Sequence, residues 1–372
     1  MLLAIELLDE LVGGARAAAL PLIRRDLDLS YGELGLAFAV PGLIGSALEP
    51  IIGLAGDGRN RRRLLVAGGV VFSLSVALTA GATGLALLIV ALALGNPATT
   101  AFVSLAQASL MDLEPRARER NMARWALTGS LGVVLGPVVL ALVLQLGLGW
   151  RAVSGALAVC ALTLTALAAR SSLPAIERRE PVRAGVGNLM TALRRRDVLR
   201  WLGLLEASNL MLDVLGGFLA LYLVDVIRLG PAEAALALGV WSGALLLGDT
   251  LLLVVLRGVE GVRYLRVSAL AVTLVYPLFL LAPGIAKLPL LALLGLLSAG
   301  GYAIPKAGLY GALPGKSGTA IALGSVGGLV GALVPLGLGL AAGQVALAPT
   351  MWLLLLGPIV LVGGLPRDRT GA

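Results

Sequence analysis

"GLAGDGRNRRRLL" (residues 53–65) lies between two runs, 34–56 and 64–82, that are apolar almost throughout. Each run, coiled as a helix, is long enough to cross about 30 Å of hydrocarbon. The arginines between them, Arg59, Arg61, Arg62 and Arg63, would be costly to bury in that hydrocarbon. The stretch therefore reads as a short loop joining two antiparallel membrane helices. Its positive charge marks the face on which it lies, because basic short loops stay on the cytoplasmic side.

The same alternation runs the length of the chain. Hydrophobic residues make up 58% and charged residues 13%, with a mean hydropathy of +0.96, whereas a soluble protein carries about 25% charged residues. Apolar runs punctuated by polar, Gly or Pro residues predict twelve spans: 2–23, 34–56, 64–82, 84–110, 124–146, 152–170, 199–224, 234–256, 267–283, 288–312, 319–343 and 345–364. Of the 29 basic residues, the loops opposite residues 53–65 hold only Arg24, Arg25, Arg151, Arg228 and Lys287. Arg16 and Lys306 fall inside spans. The remainder lie on one side, in the loops at 59–63 and 116–124, from Arg170 to Arg200, and around Arg257, Arg263, Arg266, Lys316, Arg367 and Arg369. That asymmetry predicts both termini in the cytoplasm, in a bacterial-type plasma (inner) membrane.

The longest polar stretch, "SSLPAIERREPVRAGVGNLMTALRRRD" (171–197), divides the chain into a six-helix bundle over 1–170, a cytoplasmic linker over 171–198, whose second part is expected to form a surface helix, and a six-helix bundle over 199–372. The halves echo one another. "DELVGGA" (9–15) parallels "LDVLGGF" (212–218), setting Glu10 against Asp213, and "LIGSALEP" (43–50) parallels "ALLLGDTL" (244–251), setting Glu49 against Asp249. Weak internal similarity of this kind is a mark of duplicated transporter folds.

Several classes of function fall away. The basic pI near 10.2 does not point to nucleic acid, because the charge sits in membrane-flanking loops. The single cysteine, Cys160, and the absence of histidine remove cysteine- and histidine-based metal sites and the Ser-His pair of common hydrolases. No Walker A phosphate loop is present. No enzyme activity, metal or cofactor is expected, and the first span, which lacks a basic n-region and a cleavage site, is expected to be a retained helix.

The loop that opened this section resembles the signature loop of the major facilitator superfamily, through Gly53, Asp57, Arg61 and Arg62. Gly58 and Asn60 depart from the usual pattern, although Asn tolerates the left-handed backbone of a tight turn. The resemblance implies a latch in which Asp57 pairs with an arginine or faces a positive helix N-terminus in one conformation and releases it in the other. "GSLGVVLGPVVL" (129–140) resembles the Gly-xxx-Gly-Pro segment of exporters in this superfamily, through Gly132, Gly136 and Pro137. Leu140 and Ala141 stand where a further Gly-Gly is usual. "LGLGWRAV" (146–153) and "LPGKSGTA" (313–320) resemble loops of the same superfamily. "DLSYGELGLAF" (28–38) with "LEPIIGLAGD" (48–57) is similar to efflux proteins of the fosmidomycin-resistance type, with Glu10 where that type has an Asp. "LALGNPATTAF" (92–102) lacks the arginine that many proton-coupled drug exporters carry in the fourth span.

Ionisable groups within the spans are candidates by default, since a charge in the bilayer needs a cavity or a partner. The acids are Glu6, Asp9, Glu10, Glu49, Glu206, Asp213 and Asp249, and the bases Arg16 and Lys306. At 100° per residue Glu6, Asp9, Gly13 and Arg16 share one stripe of the first helix, with Glu10 beside it. Glu10, Asp213 and Glu49 are expected to handle protons or substrate, Arg16 to be an internal counter-ion for Asp9 and Glu10, and Lys306 to neutralise Asp213 or Asp249 or to meet substrate. Glu6 and Glu206 read as shallow. Trp241, Tyr264 and Tyr302 are aromatic candidates for substrate contact. The resulting expectation is a monomeric secondary active transporter that exports a small organic solute or drug by proton-coupled alternating access. The alternatives are a facilitator, an importer or a lipid (lysolipid) flippase of the same superfamily.

Overall fold

The computed structural model describes residues 1–56, 61–113, 118–171, 190–313 and 317–366, and these residues form helices and connecting turns with no strand among them. In chain order the helices are α1 (Leu2–Asp26), α2 (Tyr31–Gly56) and α3 (Arg61–Ala80). Next comes α4, which runs from Leu85–Thr99 through a π turn at Thr100–Ser104 into Leu105–Leu113. Then follow α5 (Arg118–Gln145) and α6 (Trp150–Arg170). The seventh, α7, covers Arg196–Asn209, a π turn at Leu210–Val214, Leu215–Leu221 and a second π turn at Tyr222–Val226. It is followed by α8 (Pro231–Val255) and α9 (Gly261–Leu281). The tenth, α10, has two pieces, Lys287–Leu297 and Ala303–Ala312. The eleventh, α11, also has two, Ser317–Gly331 and Leu333–Val345. The last, α12, passes from Leu347–Thr350 through a 3₁₀ stretch, Met351–Leu355, to Leu356–Gly364.

By length and composition 10 spans qualify as membrane-crossing, and the remaining two helices show why they differ. The charged stripe of α1 keeps its hydropathy low, and α10 is broken. At Ser298–Tyr302 the sequence Ser-Ala-Gly-Gly-Tyr gives up the helical ladder, and Gly300 takes a φ of +74° that favours glycine. The expected continuous span over 288–312 is therefore corrected to two half-helices. The ninth helix starts six residues earlier than the expected 267, taking Arg263 and Arg266 into its first turns. Arg266 snorkels back to the carbonyl of Pro366, keeping its charge at the arginine-rich face. The expected linker helix falls mainly outside the described residues.

Local chemistry sets the sharp starts at the face opposite the arginines. Ser30 and Glu33 form a reciprocal capping box ahead of α2, with the Ser30 N–H donating to Glu33 Oε2 at 2.8 Å and the Glu33 N–H to Ser30 Oγ at 3.2 Å. Pro231 opens α8, and the Gly230 N–H donates to Glu233 at 3.0 Å.

Packing within and between the halves runs on small residues. Lipid tails supply no hydrophobic drive between helices, so close van der Waals approach has to hold them together. A Cβ on Gly132 would lie 2.6 Å from the Leu7 carbonyl oxygen, and one on Gly14 would lie 2.7 Å from that of Val133. These contacts clamp α1 to α5, the close crossing expected from the glycines at 132 and 136. Between the halves, α2 packs on α11 and α5 on α8, while α1 touches the middle of α7. Gly35 and Gly42 bring α2 against Leu336 and Ala332, at 2.8 Å for a Cβ in each case. Large apolar side chains such as Leu253, Leu274 and Leu281, each 70% exposed, form the outer surface, which is the surface a bilayer would cover.

Candidate functional site

The charged stripe of α1 faces α4, α5 and α7. Glu6, 7% exposed, lies over Gly129, where a Cβ would sit 2.6 Å from its Oε1, and the Trp125 indole faces its carboxylate. Two helical glycines of α5 are thus the floor on which the acids rest, because Gly132 receives Glu10 in the same way, at 2.7 Å from the Glu10 Cβ. Asp9 turns toward α4 and accepts a hydrogen bond from Thr99 Oγ1 at 3.1 Å. Arg16, about two turns on, lies within electrostatic reach of both Asp9 and Glu10.

Across the interface stands Asp213 of α7. It lies mid-helix yet is solvent-exposed, and its charge is felt by both Glu10 and Glu206. Glu206 is half-buried beside Asn209, against a glycine face of α11. A Cβ on Gly327 would come within 2.6 Å of its carboxylate, and one on Gly331 within 2.7 Å. Lys306 lies opposite Glu206, over the Tyr302 ring at 5.5 Å and beside Gly324. Lys306, expected to neutralise Asp213 or Asp249 or to meet substrate, thus lies on the side of Glu206.

Two expected site residues stand apart. Asp249 accepts the Gly300 N–H at 2.9 Å, a donor freed by the break in α10, with Tyr264 nearby. Glu49 accepts from Ser325 Oγ of α11 at 3.0 Å. Asp9, Glu10 and Arg16 thus lie within electrostatic reach of one another on α1, and Asp213 within reach of Glu10 and Glu206, whereas Glu49 and Asp249 make contacts of their own. The Trp241 ring packs on Gly216, and its buried indole N–H has no hydrogen-bond partner among the described residues. Asp57 lies outside the described residues, so the latch expected from the loop at 53–65 has no described geometry.

A second polar group was not legible from the sequence. At the face opposite the arginines, Asp225 of α7 accepts from Arg24 of α1 at 2.9 Å and from Tyr31 of α2 at 2.8 Å. The Arg24 guanidinium also covers the Tyr31 ring at 4.7 Å. This triad ties α1 and α2 to α7 beyond the acidic cluster. Asp213 and Asp225 each sit on a π turn of α7, a local widening that is frequent at functional sites.

Comparison with known proteins bears on the fold that carries these residues. A family model described as Major Facilitator Superfamily matches residues 7–342. A crystal structure of the nucleoside transporter NupG superposes with a TM-score of 0.77 at 12% identity, covering 97% of this chain and 96% of that one. A bacterial homologue of the human lysosomal transporter Spinster, in an inward-facing and unoccupied conformation, superposes with a TM-score of 0.79 at 14% identity, covering 98% of this chain and 94% of that one. At such identities the likeness is one of fold. With the family match extending from the charged stripe of α1 to α11, the chain belongs to the Major Facilitator Superfamily of membrane transporters.

Proposed function

We propose that this chain is a proton-coupled secondary transporter that exports a small organic solute, with Glu10 and Asp213 as the pair that exchanges protons for substrate. One observation carries the reading. The helices α1 and α7 touch at the interface between the halves, and each carries acids there, with Asp213 within electrostatic reach of Glu10 and of Glu206. Like charges so placed disfavour simultaneous ionisation, so the site takes up protons or a cationic solute and releases one on gaining the other. With the arginine-rich face in the cytoplasm of a bacterial-type plasma membrane, both termini are cytoplasmic. The Arg24–Asp225–Tyr31 triad then closes the external side, and solute enters the site from the cytoplasm. The chain works as a monomer, and Glu49, Asp249 and the Asp57 loop act on the conformational change rather than on substrate.

The test begins with a thermal-shift screen of antibiotics, nucleosides, sugars and lysolipids, since a ligand of the folded state raises its melting temperature. The hit is then followed in proteoliposomes under an imposed pH gradient. Wild-type transport is expected to accelerate with the gradient. Glu10→Gln is expected to melt like wild type and to lose the acceleration. Transport indifferent to the gradient overturns proton coupling, and a lysolipid as the only hit replaces the exporter reading with a flippase.

A further inference from the structure

Two cavities occupy corresponding places in the two halves. One lies among α1, α3, α4 and α6, with α5 at its edge, and the other among α7, α9, α10 and α12, which is the same set displaced by six helices. The fold supplies both spaces, and the side chains make them differ. The second is walled mainly by apolar side chains, with Ser208, Ser268 and Ser298 as its hydroxyls. The first begins at Asp9 and Arg16 and continues past Asn96, Thr99, Ser75, Thr79 and Ser154.

Polar lining and room decide whether such a space holds water. The first cavity has a free volume of about 50 Å³, against the roughly 10–15 Å³ that one water needs. Ser75 Oγ donates to the Ala91 carbonyl at 2.7 Å and Thr79 Oγ1 to the Ser75 carbonyl at 2.9 Å. Each hydroxyl has spent its proton on the backbone and offers lone pairs to a water. Along α1 the lining reaches from Asp9 to Ile23, about 21 Å at the helical rise. It therefore extends from the level of the acidic cluster toward the face opposite the arginines. The far end is tied by Trp150, whose indole donates to Asp26 Oδ2 at 3.0 Å, and by Arg151, which stacks on Trp150 at 4.3 Å and reaches the Ala82 carbonyl at 2.7 Å. Glu6, Glu10 and Arg16 face Asp9 from its own helix, and Thr99 faces it from α4. Asp213 reaches it only through Glu10. Among the described residues, α3, α5 and α6 present neutral side chains to the cavity.

We infer that this cavity is a water-filled proton passage from the face opposite the arginines to Asp9, running inside one half of the protein rather than between the halves. Protons then exchange between that face and the Asp9–Glu10 pair while the Arg24–Asp225–Tyr31 triad bars solutes. A hydronium at the far end gives up its proton through the waters, Asp9 becomes the neutral acid, and a water is left behind. The inference rests on the proton-coupled reading of the site.

The test needs no solute. The full chain, reconstituted in vesicles sorted for orientation, is adsorbed on a solid-supported membrane and given a pH step from one face at a time. Wild type is expected to give a transient charge movement from either face, and Asp9→Asn with Glu10→Gln and Asp213→Asn to abolish both. No wild-type current, or a current that survives this triple change, overturns the proton-coupled reading and the passage with it. Thr79→Val with Ser154→Ala removes both hydroxyls from the passage without adding bulk. It is expected to abolish the response to a step from the face opposite the arginines and to leave the other response intact. Responses unchanged from both faces, or slowed equally from both, overturn the passage while leaving the proton-coupled reading in place. If the pair melts below wild type, Thr79→Val alone is read by the same criterion.

Discussion

Gly136→Val is expected to yield no folded protein in detergent, whereas Gly13→Ala melts at or above the wild-type temperature. A Cβ on Gly136 would lie 2.6 Å from the Leu11 carbonyl oxygen and 2.8 Å from the carbonyl carbon of Gly14. Those neighbours are backbone, so no rotamer change relieves the clash. Overpacking that side chains can absorb costs about 1–3 kcal/mol, and here α1 has to move bodily off α5. Total stabilities are only about 5–15 kcal/mol, and membrane helices separated by an added side chain recover no hydrophobic energy in exchange. Gly13, by contrast, meets nothing within 4 Å of its Cβ position. An alanine there costs no packing and gains up to about 1 kcal/mol of helix propensity. Size-exclusion profiles and thermal melting of the two variants decide the matter. A wild-type melt for Gly136→Val would mean that the α1–α5 crossing is looser than the structure has it. The consequence reaches the site, because the same crossing lays Glu6 and Glu10 on Gly129 and Gly132.

What could be read from the sequence was whatever depends on length, period or charge side. Apolar runs long enough to span hydrocarbon located the helices, and the glycines at 132 and 136 announced a close crossing before its partner was known. The stripe Glu6–Asp9–Arg16 followed from helical period alone, and the Arg16 counter-ion followed from the stripe. Partners across helices were beyond reach for a physical reason. Depth in a span does not give rotation about the helix axis, and at about 100° per residue a single position changes the neighbour entirely. Lys306 was therefore set by depth beside Asp213 or Asp249 as its candidate acids, while only the structure shows it over the Tyr302 ring and beside Gly324. Asp249 was similarly matched to the central site, yet it accepts the Gly300 N–H, a donor that exists only because α10 breaks. The π turns that carry Asp213 and Asp225 leave no mark in composition at all. The internal repeat sets Glu10 and Asp213 on the first helix of each half, within electrostatic reach of one another, and Glu49 and Asp249 on the second helix of each half, where they accept from Ser325 and Gly300.

The triad at the far face has the second large effect. Replacing Asp225 with Asn is expected to open that face and move the population toward a state with α1 and α2 parted from α7. Asp225 joins Arg24 at 2.9 Å and Tyr31 at 2.8 Å, and with side chains only 27% and 18% exposed the Arg24–Asp225 pair is shielded from much of the screening that weakens surface pairs. A hydrogen bond to a charged partner contributes about 1.5–3 kcal/mol, and about 2 kcal/mol shifts a two-state ratio roughly 30-fold. Arg24→Ala is expected to act in the same direction, and the two changes together to do little more than either alone, since each removes the same bond. Spin labels at Arg25 and Ala232, in a Cys160→Ala background, report the separation of the two halves at that face. The expected result is a longer distance in Asp225→Asn and Arg24→Ala, with no further increase in the double variant. Distances that match wild type in all three would remove the triad as a latch and leave closure to the glycine-lined contact of α2 with α11.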